Sequence, residues 1–184
     1  LPIWQRVVPA NPNTTGQQQT RGVFAWANDV WKVMGPLSIA PWDRFADGQA
    51  LTGRNKFQGQ TVADNRGQVN LDQFTFSIGA KGGLPPVSIA AVAGVGIITV
   101  TANVPTPPSG WTLQAFVSAA IRDQDPQTGT LFTTVEGEDT TAPYEVIHSG
   151  LSTNLYRVGG WLRWAKPDGS IAYSAAINTG ATPT

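Results

Sequence analysis

Lys81-Gly82-Gly83-Leu84-Pro85-Pro86 separates two kinds of sequence. Gly-Gly followed by Pro-Pro breaks both helix and strand and marks a linker. Upstream of it, apolar residues recur every three or four positions. Downstream, short apolar runs alternate with turn signals. The pattern predicts an α+β chain: residues 1–83 as an extended arm with short helices, and residues 84–184 as an antiparallel β-sandwich.

Upstream, Pro2, Pro9 and Pro12 lie within the first thirteen residues. Proline fixes φ and removes amide donors, so this stretch is an extended arm. It carries Ile3, Trp4, Val7 and Val8, which need a surface to lie on: the chain's own body or a neighbouring subunit. Thr14-Thr15-Gly16-Gln17 is a helix start, with Thr14 accepting from the amide three residues on and Gln17 reaching back. Val23, Trp26, Ala27, Val30 and Met34 then give an amphipathic helix over about 15–34. Gly35-Pro36 ends it. A short helix is expected over about 41–46, with Pro41 near its start and Trp42 and Phe45 as an apolar pair. A third is expected from Thr52 towards Ala63. Phe74 to Ile78 alternates and predicts a strand leading into the linker.

Downstream, seven strands are predicted: 87–92, 97–104, 111–121, 130–135, 144–148, 155–164 and 170–177. Asp168-Gly169 signals a tight hairpin between the last two. Trp161 and Trp164, three apart, face opposite sides of a regular strand, so Gly159-Gly160 is expected to form a bulge that brings them together.

Two resemblances follow from these residues. Gly150-Leu151-Ser152-Thr153-Asn154-Leu155-Tyr156 resembles the corner of fibronectin type III and immunoglobulin-like domains, with Leu151 and Tyr156 in the places of the anchoring Leu and Tyr. The Leu-to-Tyr spacing is one residue shorter than usual in fibronectin domains. The fold implied is an immunoglobulin-like β-sandwich. Asn11-Pro12-Asn13-Thr14-Thr15-Gly16-Gln17-Gln18-Gln19, then Phe24 and Trp31, Pro41-Trp42-Asp43-Arg44-Phe45, and Gly53-Arg54-Asn55-Lys56-Phe57, is similar to small proteins encoded among tailed-bacteriophage structural genes. That resemblance covers about 9–57. Asn13 stands where a basic residue is common, and Gly16 where Ala is common. It implies a virion component.

Composition narrows the chemistry. The 184 residues include no Cys and one His, and only 13% are charged. Thiol catalysis, Cys-ligated metal and multi-His metal sites are excluded. Lys+Arg and Asp+Glu are 12 each, and the balance is slightly basic over 1–83 and slightly acidic over 84–184. A strongly basic nucleic-acid binder is not indicated. Residues 1–20 show no signal-peptide pattern, and no stretch approaches the ~20 apolar residues of a spanning helix, so the chain is expected to be soluble or assembled into something soluble, with no membrane partner. His148 reads as a structural or surface residue, since Ser149 is too close in sequence to suggest a triad. Asp123, Asp125, Glu136, Glu138 and Asp139 fall in expected loops; oxygen-ligated Ca²⁺ is one reading and solvated turns the favoured one. No cofactor is expected.

Most of the seven Trp are expected in the core, Trp111, Trp161 and Trp164 among them. Trp4 and Trp42 are the exceptions, so the interface candidates are Ile3, Trp4, Val7, Val8 and Trp42. The function expected is non-enzymatic: a phage structural protein, foremost a capsid decoration or cement protein. Its partners would be other virion proteins, the major capsid protein first, and copies of itself. A head–tail or tail accessory role is the close alternative. A carbohydrate-binding module for host glycans is another, requiring exposed coplanar aromatics.

Overall fold

A computed structural model describes residues 14–65, 75–79, 84–122 and 134–184. The arm with Ile3, Trp4, Val7 and Val8, the Lys81–Gly83 part of the linker, and Asp123 and Asp125 lie outside the described residues.

Three helices come first. α1 spans Thr15–Val33, and Thr14 Oγ1 accepts from the Gln17 amide at 3.4 Å. The return half of that cap does not form, because Gln17 Oε1 makes no hydrogen bond. α2 spans Pro36–Ala46 and α3 spans Gly53–Asp64, with Thr52 capping the Asn55 amide. α2 thus starts five residues earlier than expected. Gly35-Pro36 both stops α1 and starts α2, because a proline at the first helical position has no amide to leave unpaired. Pro41 sits inside the helix.

The strands are β1 (Ser88–Gly94), β2 (Ile97–Asn103), β3 (Thr112–Arg122), β4 (Thr134–Asp139), β5 (Glu145–Ser149), β6 (Tyr156–Ala165), β7 (Ile171–Tyr173) and β8 (Ile177–Ala181). They make two antiparallel sheets. One has the order β1-β2-β5; the other has the order β4-β3-β6-β7, with β8 also paired to β6. The protein is therefore mixed α+β, with its strands in a sandwich-like arrangement.

Both faces of the larger sheet are covered. Val117, Ala119, Ile121 and Trp161 pack with Trp26, Val30, Trp42 and Phe57 of the helices. The opposite face places Phe116, Leu162 and Trp164 against Ile98, Val100 and Val146 of the smaller sheet. This double burial explains why β3 and β6 are near-continuously apolar. It also corrects the expected bulge at Gly159-Gly160. Trp161 and Trp164 belong to different cores on opposite faces, so β6 needs no bulge and runs in continuous register there. The register shift lies instead in β3, between Leu113 and Ala115.

The two glycines have another cause. A Cβ on Gly159 would overlap the Phe76 ring, and one on Gly160 would come within 2.7 Å of Ile89 and 2.9 Å of Phe116. Phe76 is fully buried and stacks on Trp161, with centroids 5.6 Å apart. We expect Gly159→Ala to cost about 1–3 kcal/mol by overpacking, read as a lowered urea midpoint with unchanged m-value.

The predicted final strand is split in two. Ser174 Oγ accepts from the Leu162 amide at 2.9 Å, and Ser77 Oγ donates to the Ser174 carbonyl at 2.7 Å. The Ala176 amide bonds to the Ser77 carbonyl, and Ile78 bridges Ala175. The segment 75–79 therefore docks at the break between β7 and β8. The Asp168-Gly169 turn forms as expected, with Gly169 at φ 81 and Asp168 Oδ1 accepting from the Ser170 amide.

Candidate functional site

Trp42 is no surface anchor. It is 1% exposed, enclosed by α3 and the larger sheet, with Phe57 edge-on at 5.3 Å. Helix α2 turns this side inward because it must cover the sheet. Of the other Trp among the described residues, Trp26, Trp161 and Trp164 are buried, and Trp31 and Trp111 are half-buried. Lys166 Nζ lies 4.8 Å from the centre of the Trp111 ring. No described indole offers an exposed stacking platform.

His148 has a partner that its sequence neighbourhood did not reveal. Its Nε2 lies 3.0 Å from Ser118 Oγ, and both residues are buried between the sheets. Burial pulls the imidazole down from 6.5 to about 4. A Ser–His contact is half of an acyl-transfer triad, but at 0% and 2% exposure no substrate carbonyl reaches it. The pair satisfies two polar groups inside an apolar core.

The acids expected in loops lie on a strand. Glu136, Glu138 and Asp139 belong to β4, with Glu136 and Glu138 on its helix-facing side and Asp139 on the opposite one. Each has its own partner. Glu138 pairs with Arg163 at 2.8 Å. Asp139 accepts from the Glu145 and Thr141 amides, which hold its carboxyl below the usual range. Among the described residues no group of three His, Asp or Glu is placed to hold a metal ion.

Glu136 joins the helical layer to the sheet. Its Oε2 accepts from the Leu37 amide and its Oε1 from the Ser38 amide, both at 3.0 Å. These are free amides of the first turn of α2, where Gly35 supplies no side-chain cap. The carboxylate lies so near Gly35 that any Cβ there would overlap it. We expect Glu136→Ala to cost about 2–3 kcal/mol, since two charge-assisted bonds go at once. Faster exchange at the Leu37 and Ser38 amides would separate this loss from a general loosening.

A shallow cleft of about 510 Å³ runs between α2 and the β6–β7 hairpin, lined by Asp43, Arg44, Asp47, Asp168 and Tyr173 among others. Arg44 is committed within it: Nε donates to the Ile171 carbonyl and Nη1 to Asp47. The cleft is a braced seam between layers.

The surface that remains is the outer face of the β1-β2-β5 sheet. Register places Val92, Thr99 and Ile147 in one row across it, with Val92 65% and Ile147 57% exposed. Ala90, Thr101 and Glu145 form the next row, and Val95 at the β1–β2 turn is 85% exposed. Glu145 is the single charge on the three strands at pH 7, given neutral His148. This exposed β-branched face with so little charge is the candidate interaction surface. The sequence signal for it was the lack of charge from Val87 to Val104.

In comparison with known proteins, no family model and no curated sequence matches this chain. No helix among the described residues is long and apolar enough to cross a membrane.

Proposed function

We propose that this chain is a non-enzymatic structural protein of a tailed-phage particle, acting as a capsid decoration protein that bridges subunits. The observation that carries the reading is the exposed, nearly uncharged face of β1, β2 and β5. A monomer gains nothing from such a face, whereas a protein covered by neighbours gains buried area from it. The phage-type sequence series supports it, since its residues build the helical layer: Thr14 caps α1, while Trp42 and Phe57 are core.

We also propose that the sandwich is immunoglobulin-like, closest to the fibronectin type III arrangement. In support, three strands face four strand positions, with β7 and β8 together serving as the last. The Tyr156 hydroxyl accepts from the Ser152 amide at 3.2 Å, four residues upstream, and Leu151 is buried beside it. A head–tail or tail site would use the same face, so particle location decides between them. The reading as a glycan-binding module lacks a described exposed Trp to stack on a sugar.

Mass spectrometry of gradient-purified particles tests the proposal. The chain should be present in many copies per particle. Its absence from particles, while present in the infected-cell lysate, would overturn the reading.

A further inference from the structure

We propose that the free edge of β1 is a strand-acceptor site, filled by residues 3–8 of a second copy of this chain. This rests on the subunit-bridging reading above and names the contact that performs it.

β1 pairs with β2 alone among the described strands. Its end is closed where the Gly94 carbonyl accepts from the Thr184 amide at 3.0 Å, which among the described residues leaves the edge of Ser88–Ala93 open. The strand is seven residues long and contains no charge and no proline. Proteins ordinarily blunt such an edge with charge, as β4 does here with Glu136, Glu138 and Asp139. The core side of β1 is only partly covered. Ile89 and Ala91 face inward but are only half-buried, and Ala93 is exposed, whereas Ile98 and Val100 next to them on β2 are at 0%. An added strand would pair the open backbone and cover this flank.

The chain supplies a fitting strand. Between Pro2 and Pro9 lie six residues, Ile3-Trp4-Gln5-Arg6-Val7-Val8, each with an amide to donate. Six matches the open length of β1. The prolines frame the segment, since neither can donate to a ladder. Four of the six are large apolar residues, and the one charge, Arg6, is opposite in sign to Glu145 on the acceptor sheet.

The donor belongs to another copy for reasons of reach. Residues 15–22 of α1 include none that is buried, so Thr14 stands about 13 Å beyond Val23, the first buried residue. With residues 3–8 paired, the six steps from Val8 to Thr14 span at most about 21 Å even fully extended, less than a path around the sheet edge between the layers. β1 lies in the layer beyond the larger sheet, roughly 20 Å from the helical layer, and the chain must go around rather than through.

The test is the mass of the full 184-residue chain in solution, by light scattering at high micromolar concentration. The proposal expects a self-associating chain. Deleting residues 1–10 and, separately, Ala93→Lys at the exposed edge should each weaken association at least about tenfold. Leu51→Lys, exposed in the α2–α3 connection, should leave it unchanged, and Ile147→Lys reports association through the outer face instead. Circular dichroism melts confirm that each variant is folded. A full-length monomer would overturn the proposal, as would association that survives the deletion or that fails only in Ile147→Lys. A monomer whose β1 amides lose exchange protection on deletion would place the arm on its own β1, also against exchange between copies. Particle location is a separate readout: strand exchange without incorporation would sink the virion reading alone, and incorporation without exchange this inference alone.

Discussion

Trp161→Ala should lower stability by about 3–5 kcal/mol, the largest single loss expected in the protein. The side chain is fully buried where three parts of the chain meet: the helices, the Phe76 segment and β6. Truncation leaves a cavity that the rigid sheet cannot close, and the Phe76 ring loses its stacking partner. The melting temperature should fall by roughly 10 °C or more. Trp161→Phe distinguishes packing from polar effects. The indole Nε1 of Trp161 makes no hydrogen bond, so replacing it by a ring carbon removes an unsatisfied donor. That gain offsets part of the lost volume, and Trp161→Phe should cost less than half as much as Trp161→Ala. Equal losses in the two variants would show that the site depends on the full indole shape.

The second large effect is an acid sensitivity that arises at His148. Its folded-state value of about 4 lies below the ordinary 6.5, because burial disfavours the imidazolium. The unfolded chain therefore takes up a proton first as pH falls. Stability is undiminished above about 6.5 and is lost progressively down to about pH 4, where the folded form begins to protonate as well. The difference amounts to about 3 kcal/mol. Urea midpoints across this range should fall steeply in the natural chain. In His148→Gln the slope should flatten by one proton, with the carboxylates contributing what remains. Ser118→Ala should lower stability at every pH yet keep the slope, because burial rather than the serine sets the shift. A His148→Gln slope equal to that of the natural chain would refute this account of the acid response.

The sequence carried the helical periodicity of α1, the caps at Thr14 and Thr52, and the Asp168-Gly169 turn, since each depends on residues within a few positions. What it did not carry depends on distant partners. Glu136 looked like a loop acid because the amides it caps lie 98 and 99 residues away. Trp161 and Trp164 imply a bulge only on a sheet with one buried face, and this sheet has two. The side that Trp42 turns inward shows only once α2 starts at Pro36 and lies across the larger sheet. The split between β7 and β8 was hidden because Ser77, far upstream, takes the Ala176 amide and bonds to the Ser174 carbonyl. The candidate surface was not read from the sequence: no residue from Val87 to Val104 is charged, but dividing that run into an inner and an outer face required the register of β1, β2 and β5.

The most direct measurement of the central claim is an electron cryo-microscopy map of the phage particle with this chain located in it. The account predicts copies related by the particle's symmetry, with Val92 and Ile147 buried against neighbours and an added strand along β1. A map in which the β1-β2-β5 face and edge stand fully in solvent would contradict it.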